Sequence, residues 1–228
     1  MTTSTPRFTK GNTAVMKFGK ALVRAGTALL AVVAAGSTAK AQAPAGWMTA
    51  GSHPGEYEMV VDKATRHGGG ASATIRCNRD NPSNGFGTLM QTFKADEFRG
   101  KRLRMTGFVK SEGVSDWAGL WVRVDGSEKS SLAFDNMGDR RIEGTTDWTK
   151  YTIVLDVPDD AAAIAFGLLS AGKGQVWVDD LAFDVAGADV ATTDLGIDPQ
   201  ELPEDAKERF KANQKFLRKG PKNLDFEG

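Results

Sequence analysis

From Trp47 to Phe183 the chain is a series of short segments rich in β-branched and aromatic residues, parted by clusters of Gly, Pro, Asn and Asp. That spacing points to an all-β domain. The segments are EYEMVVDK, SATIRC, GTLMQTF, RLRMTGFVK, GLWVRVD, SSLAF, KYTIVLDV, AIAFGLLS and QVWVDDLAF. The alanines of PDDAAAIAFGLL can open a helix, but Gly167 and the SAGKG turn favour a turn followed by a strand from about Ile164. Side chains two apart on a strand share a face. In GLWVRVD, Leu120, Val122 and Val124 therefore form one row, and Trp121, Arg123 and Asp125 the other. In RLRMTGFVK, Leu103, Met105, Gly107 and Val109 form the apolar row, opposite Arg104, Thr106, Phe108 and Lys110. Apolar rows packed between two sheets, with polar and aromatic rows outside, predict an antiparallel β-sandwich over residues 45–185.

After Phe183 the pattern changes. Residues 186–201 are small and polar with little apolar periodicity and read as a linker. An amphipathic helix is predicted over 202–219: Pro203 suits its first turn, Glu204 and Asp205 its positive end, and Lys215, Arg218 and Lys219 its negative end, before Gly220 and Pro221 stop it. Ala206, Phe210 and Leu217 share a stripe that can dock onto a sandwich. In the closing NLDFEG, Leu224 and Phe226 alternate with Asn223, Asp225 and Glu227, which predicts a strand over 222–228.

Residues 1–41 carry six of the 29 Lys and Arg and no acid, with the apolar stretch AGTALLAVVAAG and an A-x-A site at Ala39 and Ala41. This is a secretory signal-peptide pattern, and the apolar run is shorter than the roughly 20 residues of a spanning helix. The expected mature chain of 187 residues starts at Gln42, is periplasmic or extracellular, and is not inserted in a membrane. It holds 23 basic against 29 acidic residues, a net charge of −6, which argues against nucleic acid as partner. The single cysteine, Cys77, shares strand parity with Ala73 and Ile75 and reads as an inert thiol.

At Gly46–Trp47, VWVDDL (Val176 to Leu181) and NLDFEG, the chain resembles the galactose-binding-like jelly rolls typified by carbohydrate-binding modules. These open with an N-x-x-F-E strand and a G-W, and close with a hydrophobic-D-D-hydrophobic strand. The FDNM, GTTDW and GQVWVDD blocks also look like a domain that recurs in bacterial exported and regulatory proteins. Here the N-x-x-F-E element lies at Asn223–Glu227 instead of ahead of Trp47, so the resemblance implies a circularly permuted jelly roll whose last strand fills the first position. A truncated further repeat and a strand swapped into a second molecule are the alternatives. The resemblance also implies a structural calcium where first and last strands meet, with Asp179 and Glu227 as the acid pair. Alternatively, backbone N–H groups satisfy Asp179.

The outward row of Trp121, Arg123 and Asp125, with Arg104 beside it and Asp135, Asn136 and Arg140 in the next loop, combines an aromatic face with paired hydrogen-bonding groups. Sugars are recognised by such a mix. The competing reading buries Trp117, Trp121 and Trp148 under loops and ties the charges into salt bridges. No G-x-S-x-G or H-E-x-x-H is present, and the only imidazoles are His53 and His67. The expectation is a noncatalytic exported binding module for a carbohydrate-like or other polar small ligand. A structural or protein-interaction domain, docking a partner or itself, is second, and a glycan-processing enzyme using Asp125 and Asp135 third.

Overall fold

The computed structural model describes residues 42–228. The signal-peptide assignment over 1–41 lies outside them. The elements are β1 (Met48–Gly51), β2 (Tyr57–Asp62), β3 (Ser72–Cys77), β4 (Phe86–Lys94), β5 (Lys101–Gly126), β6 (Lys129–Ser130), β7 (Ala133–Asp135), β8 (Ile142–Val157), β9 (Ala161–Ala171), β10 (Gln175–Ala186), β11 (Gln200–Glu201) and α1 (Glu204–Gln214).

RLRMTGFVK and GLWVRVD, two segments in the sequence pattern, are one 26-residue strand, β5. Its first half lies between β10 and β8, and its second half, from Trp117, between β9 and β7. One antiparallel sheet therefore runs β2-β3-β10-β5-β8 and the other β1-β4-β9-β5-β7. Register shifts against β8 between Val109 and Ala118, with Gly113 at φ 61°, mark where β5 crosses from one sheet to the other. Bulges bend a strand and raise its twist, which is how one strand turns a sandwich corner.

The inward rows are those that alternation predicts. Leu103, Met105 and Val109 from the first half of β5, and Leu120, Val122 and Val124 from the second, are fully buried and pack with Ile75, Ile164, Phe166, Val176 and Val178. Gly107 belongs to the same row because a Cβ there would meet the Leu181 side chain at 2.6 Å. Phe166 and Phe183 meet edge to face at 4.8 Å, with Phe93 beside both. In β10 the parity changes midway. Val176 and Val178 face the core, a register shift lies between Asp179 and Ala182 with Asp180 at φ 50°, and Leu181 and Phe183 then face inward. Trp177 and Asp179 thus fall on the opposite face from the core row, although unbroken alternation would set them on the face of Leu181 and Phe183. The Trp177 indole N–H donates to Asp62 at 2.8 Å.

The C-terminal region departs further. α1 ends at Gln214, short of 219, and none of its residues is buried. The terminal segment returns to the sandwich but is not a strand: Asn223 and Phe226 have φ of 49° and 59°, left-handed conformations that break an extended run. It nevertheless delivers Phe226 into the core, 2% exposed and 5.1 Å from the Trp47 ring, with Leu224 packed beside it. Replacing Phe226 by Ala should lower the unfolding free energy by about 3–5 kcal/mol in urea titrations. An unchanged midpoint would show that the core closes without this ring.

Candidate functional site

On the outer face of the second sheet, β4, β9, β5 and β7 carry a second apolar cluster of Trp121, Ala165 and Leu169 with Met90, Trp117 and Phe134 packed against it. It floors a cleft of about 580 Å³. Gly167 faces Trp121 across β9 and β5, and a Cβ there would run into the Leu89 carbonyl and lie 3.0 Å from the indole nitrogen. The missing side chain lets the indole lie across the strand. Trp121 is 8% exposed, and its N–H donates to Thr88 Oγ1 at 2.9 Å, while the Thr88 hydroxyl donates to the Leu168 carbonyl at 2.7 Å. Trp121 is thus a fixed floor, and the half-buried Trp117 and Phe134 form the accessible aromatic surface. Arg141 stacks its guanidinium 5.1 Å from the centre of the Trp117 ring.

Of the residues singled out from sequence, Trp121, Arg123 and Asn136 line this cleft. The Arg123 Nε donates to both oxygens of Asp125, at 2.9 and 3.0 Å, and its terminal nitrogens make no hydrogen bond among the described residues. Asp125 also accepts the Ser131 amide. Asp135 is fully buried. It accepts the Met137 amide at 2.7 Å and both terminal nitrogens of Arg140, at 3.1 and 2.5 Å. Burial works against the Arg140 charge, but its bonds to Asp135 and Asp139 outweigh that and hold the guanidinium more firmly protonated than usual. Asp135 and Arg140 are therefore occupied by each other beside the cleft. Arg104 lies on the first sheet in a bidentate pair with Asp184, at 2.8 and 2.7 Å, and that pairing lowers the Asp184 pKa. The cleft residues Trp117, Phe134, Met90 and Leu169 were not in the sequence-derived set. Trp117 alone had a local signal, its four-residue spacing from Trp121 on one strand face.

The two acids read from sequence as a calcium pair both accept hydrogen bonds from backbone N–H groups. Asp179, 1% exposed, accepts the His67 and Gly68 amides at 3.0 and 3.2 Å through one oxygen and the Asp180 amide at 2.8 Å through the other. Glu227 accepts the Gly70 and Ala71 amides. Asp180 adds a 2.7 Å contact to His67 Nδ1, and that imidazole stacks on Phe108 at 3.6 Å between ring centres. Burial raises the Asp179 pKa, although its three backbone hydrogen bonds oppose the shift. Asp179 spends both oxygens on backbone N–H groups and Glu227 one of its two, and the described residues hold no cluster of three or more His, Cys, Asp or Glu arranged for a metal. The acids fasten the loop His67–Ala71.

No protein-family model matches the chain. Over 157 residues, 69% of this chain and 53% of the relative, it is 45% identical to a Bacillus subtilis (strain 168) protein named as an uncharacterized HTH-type transcriptional regulator, YbfP. The chain spans about half the length of this curated relative. The matched residues far outnumber those before Gln42, so most of the match falls on the described residues. Solved structures share the β-sandwich. They include the CBM22-1 xylan-binding domain of Paenibacillus barcinonensis Xyn10C, 13% identical over 65% of this chain and 91% of that chain with a TM-score of 0.45. Another is the Clostridium thermocellum Xyn10B CBM22-1-GH10 modules complexed with xylohexaose, 17% identical over 65% and 27% with a TM-score of 0.47. The sandwich itself is seen in this chain's own strand order, and nothing about a ligand is carried over from these structures.

The curated relative corrects the functional expectation. A protein nearly half identical over the matched stretch is named for transcriptional regulation. The reading of an exported module for a carbohydrate-like or polar small ligand is overturned, together with its interaction-domain and glycan-processing alternatives. So are the partner set that left out nucleic acid and the periplasmic or extracellular location.

Asp135→Ala should cost about 3 kcal/mol because it removes a fully buried carboxylate that accepts both Arg140 and the Met137 amide, whereas Arg123→Ala removes a side chain 40% exposed and leaves Asp125 the Ser131 amide, and should cost at most about 1 kcal/mol. Equal losses in urea denaturation would contradict this division between a structural pair and an available arginine.

Proposed function

We propose that this chain is a noncatalytic module of a gene-regulatory system and that the cleft floored by Trp121 receives its effector. One observation carries the reading: an open apolar cleft, with free terminal nitrogens on Arg123, built into a chain that shares most of its length with a protein named as a transcriptional regulator. The volume lies within the range of single small-molecule sites, about 300–1,000 Å³. Trp117 and Phe134 offer flat surface to an apolar or planar face of the effector, and Arg123 offers two donors to an acceptor group at its edge. The same geometry supports the absence of catalysis. Asp125 and Asp135 are both committed to ion pairs, and Asp135 has no exposed surface, so neither presents a free carboxyl to a substrate.

Transcript profiling of cells tests this. A strain lacking the chain and a strain carrying Trp117→Ala with Arg123→Ala should show the same set of altered transcripts. No change in the deletion strain would overturn the regulatory role, and a change confined to the deletion strain would remove the cleft from it.

A further inference from the structure

Between Ala186 and Phe226 no residue is buried. The stretch includes the linker, β11 and α1, and it ends in a segment that is held by the sandwich at every step. The Gln91 side chain brackets Lys222, donating to its carbonyl at 2.6 Å and accepting its amide at 3.1 Å. The Trp47 indole N–H donates to the Asn223 carbonyl at 2.9 Å, and the Leu181 amide donates to the Leu224 carbonyl at 3.1 Å. Phe226 fills the space against Trp47, and the Glu227 carboxylate takes the Gly70 and Ala71 amides. The glycines of His67–Gly70 shape the turn that meets this carboxylate. A Cβ on Gly70 would lie 2.9 Å from the Glu227 carboxylate, and Gly69 sits at φ 50° against the same group. Successive backbone N–H groups in such a turn form a concavity suited to an anion.

The stretch before this anchor contributes no buried residue and touches the sandwich through hydrogen bonds at Thr193, Leu195, Leu202 and Arg218, so the anchor is bound as a peptide ligand is bound, with its occupancy set by tethering. We propose that Trp47, Gln91, Leu181 and the Gly70–Ala71 amides form a peptide-docking groove that the chain fills with its own residues 222–228. The groove accepts a bent peptide carrying an aromatic residue followed directly by a carboxylate. Backbone hydrogen bonds hold the peptide, the pocket beside Trp47 selects the ring, and the amide nest selects the acid. This inference is independent of the effector cleft.

Fluorescence anisotropy on the full chain tests it, with a labelled synthetic peptide of sequence KNLDFEG as probe. Glu227→Ala loosens the internal segment, so the peptide should bind this variant at least about tenfold more tightly than it binds the wild-type chain, whose tethered copy competes at an effective concentration near the millimolar range. The peptide with its Phe replaced by Ala should bind neither. If Glu227→Ala does not fold, Glu227→Gln takes its place with the same order of affinities expected. Equal binding to variant and wild type, no binding to the variant, or equal binding of the Phe-less peptide would overturn the groove. A concentration-dependent dimer dispersed by excess peptide would place a second copy's segment there and overturn occupancy within one chain.

Discussion

Both sheets depend on one covalent constraint, the continuity of β5. Its first half is the partner of β8 and β10 and its second half the partner of β7 and β9, so neither sheet is complete without it. Its inward row supplies Leu103, Met105 and Val109 to one end of the core and Leu120, Val122 and Val124 to the other. Its outward row carries Trp117, Trp121 and Arg123 into the cleft. A strand locked on both sides over much of its length leaves these side chains little freedom, which is how a fixed indole comes to floor an open site. The corner near Gly113 is what lets one chain segment do both.

Local pattern predicted most of the strands because each is half buried, and half burial writes a period of two into the sequence. The inward rows of β5 were readable for that reason. What alternation cannot encode is a break in its own period. The bulge in β10 costs one residue of phase, which moves Asp179 from the core row to the face beneath the His67–Ala71 loop. The terminal segment fails in a related way. Leu224 and Phe226 alternate as a strand would, yet left-handed residues at 223 and 226 give a bent anchor, and only Phe226 is fully buried.

The cleft was half legible. Trp121 and Arg123 share a strand face, which parity reveals, and Asn136 follows in the next loop. Met90 and Leu169 belong to strands that reach the site only through the order β4-β9-β5, which no local signal specifies. Arg104 was grouped with the site for the opposite reason: it lies on β5, but on the half that serves the other sheet, where Asp184 engages it. Charged residues were also over-read. Asp135 and Arg140 have the chemistry of a binding pair, and they bind each other. Function was the least legible level, since composition and an amino-terminal pattern suggested export whereas the curated relative is named for gene regulation. A fold shared by many activities does not choose between them.

The dependence of both sheets on β5 is tested most directly by native-state hydrogen exchange across Lys101–Gly126 at increasing low concentrations of denaturant. If the strand ties the sheets into one cooperative unit, protected amides from the Leu103–Val109 half and from the Leu120–Val124 half will converge on one opening free energy equal to that of global unfolding. Separate opening of one half, at a lower free energy and with the other half still protected, would contradict the account.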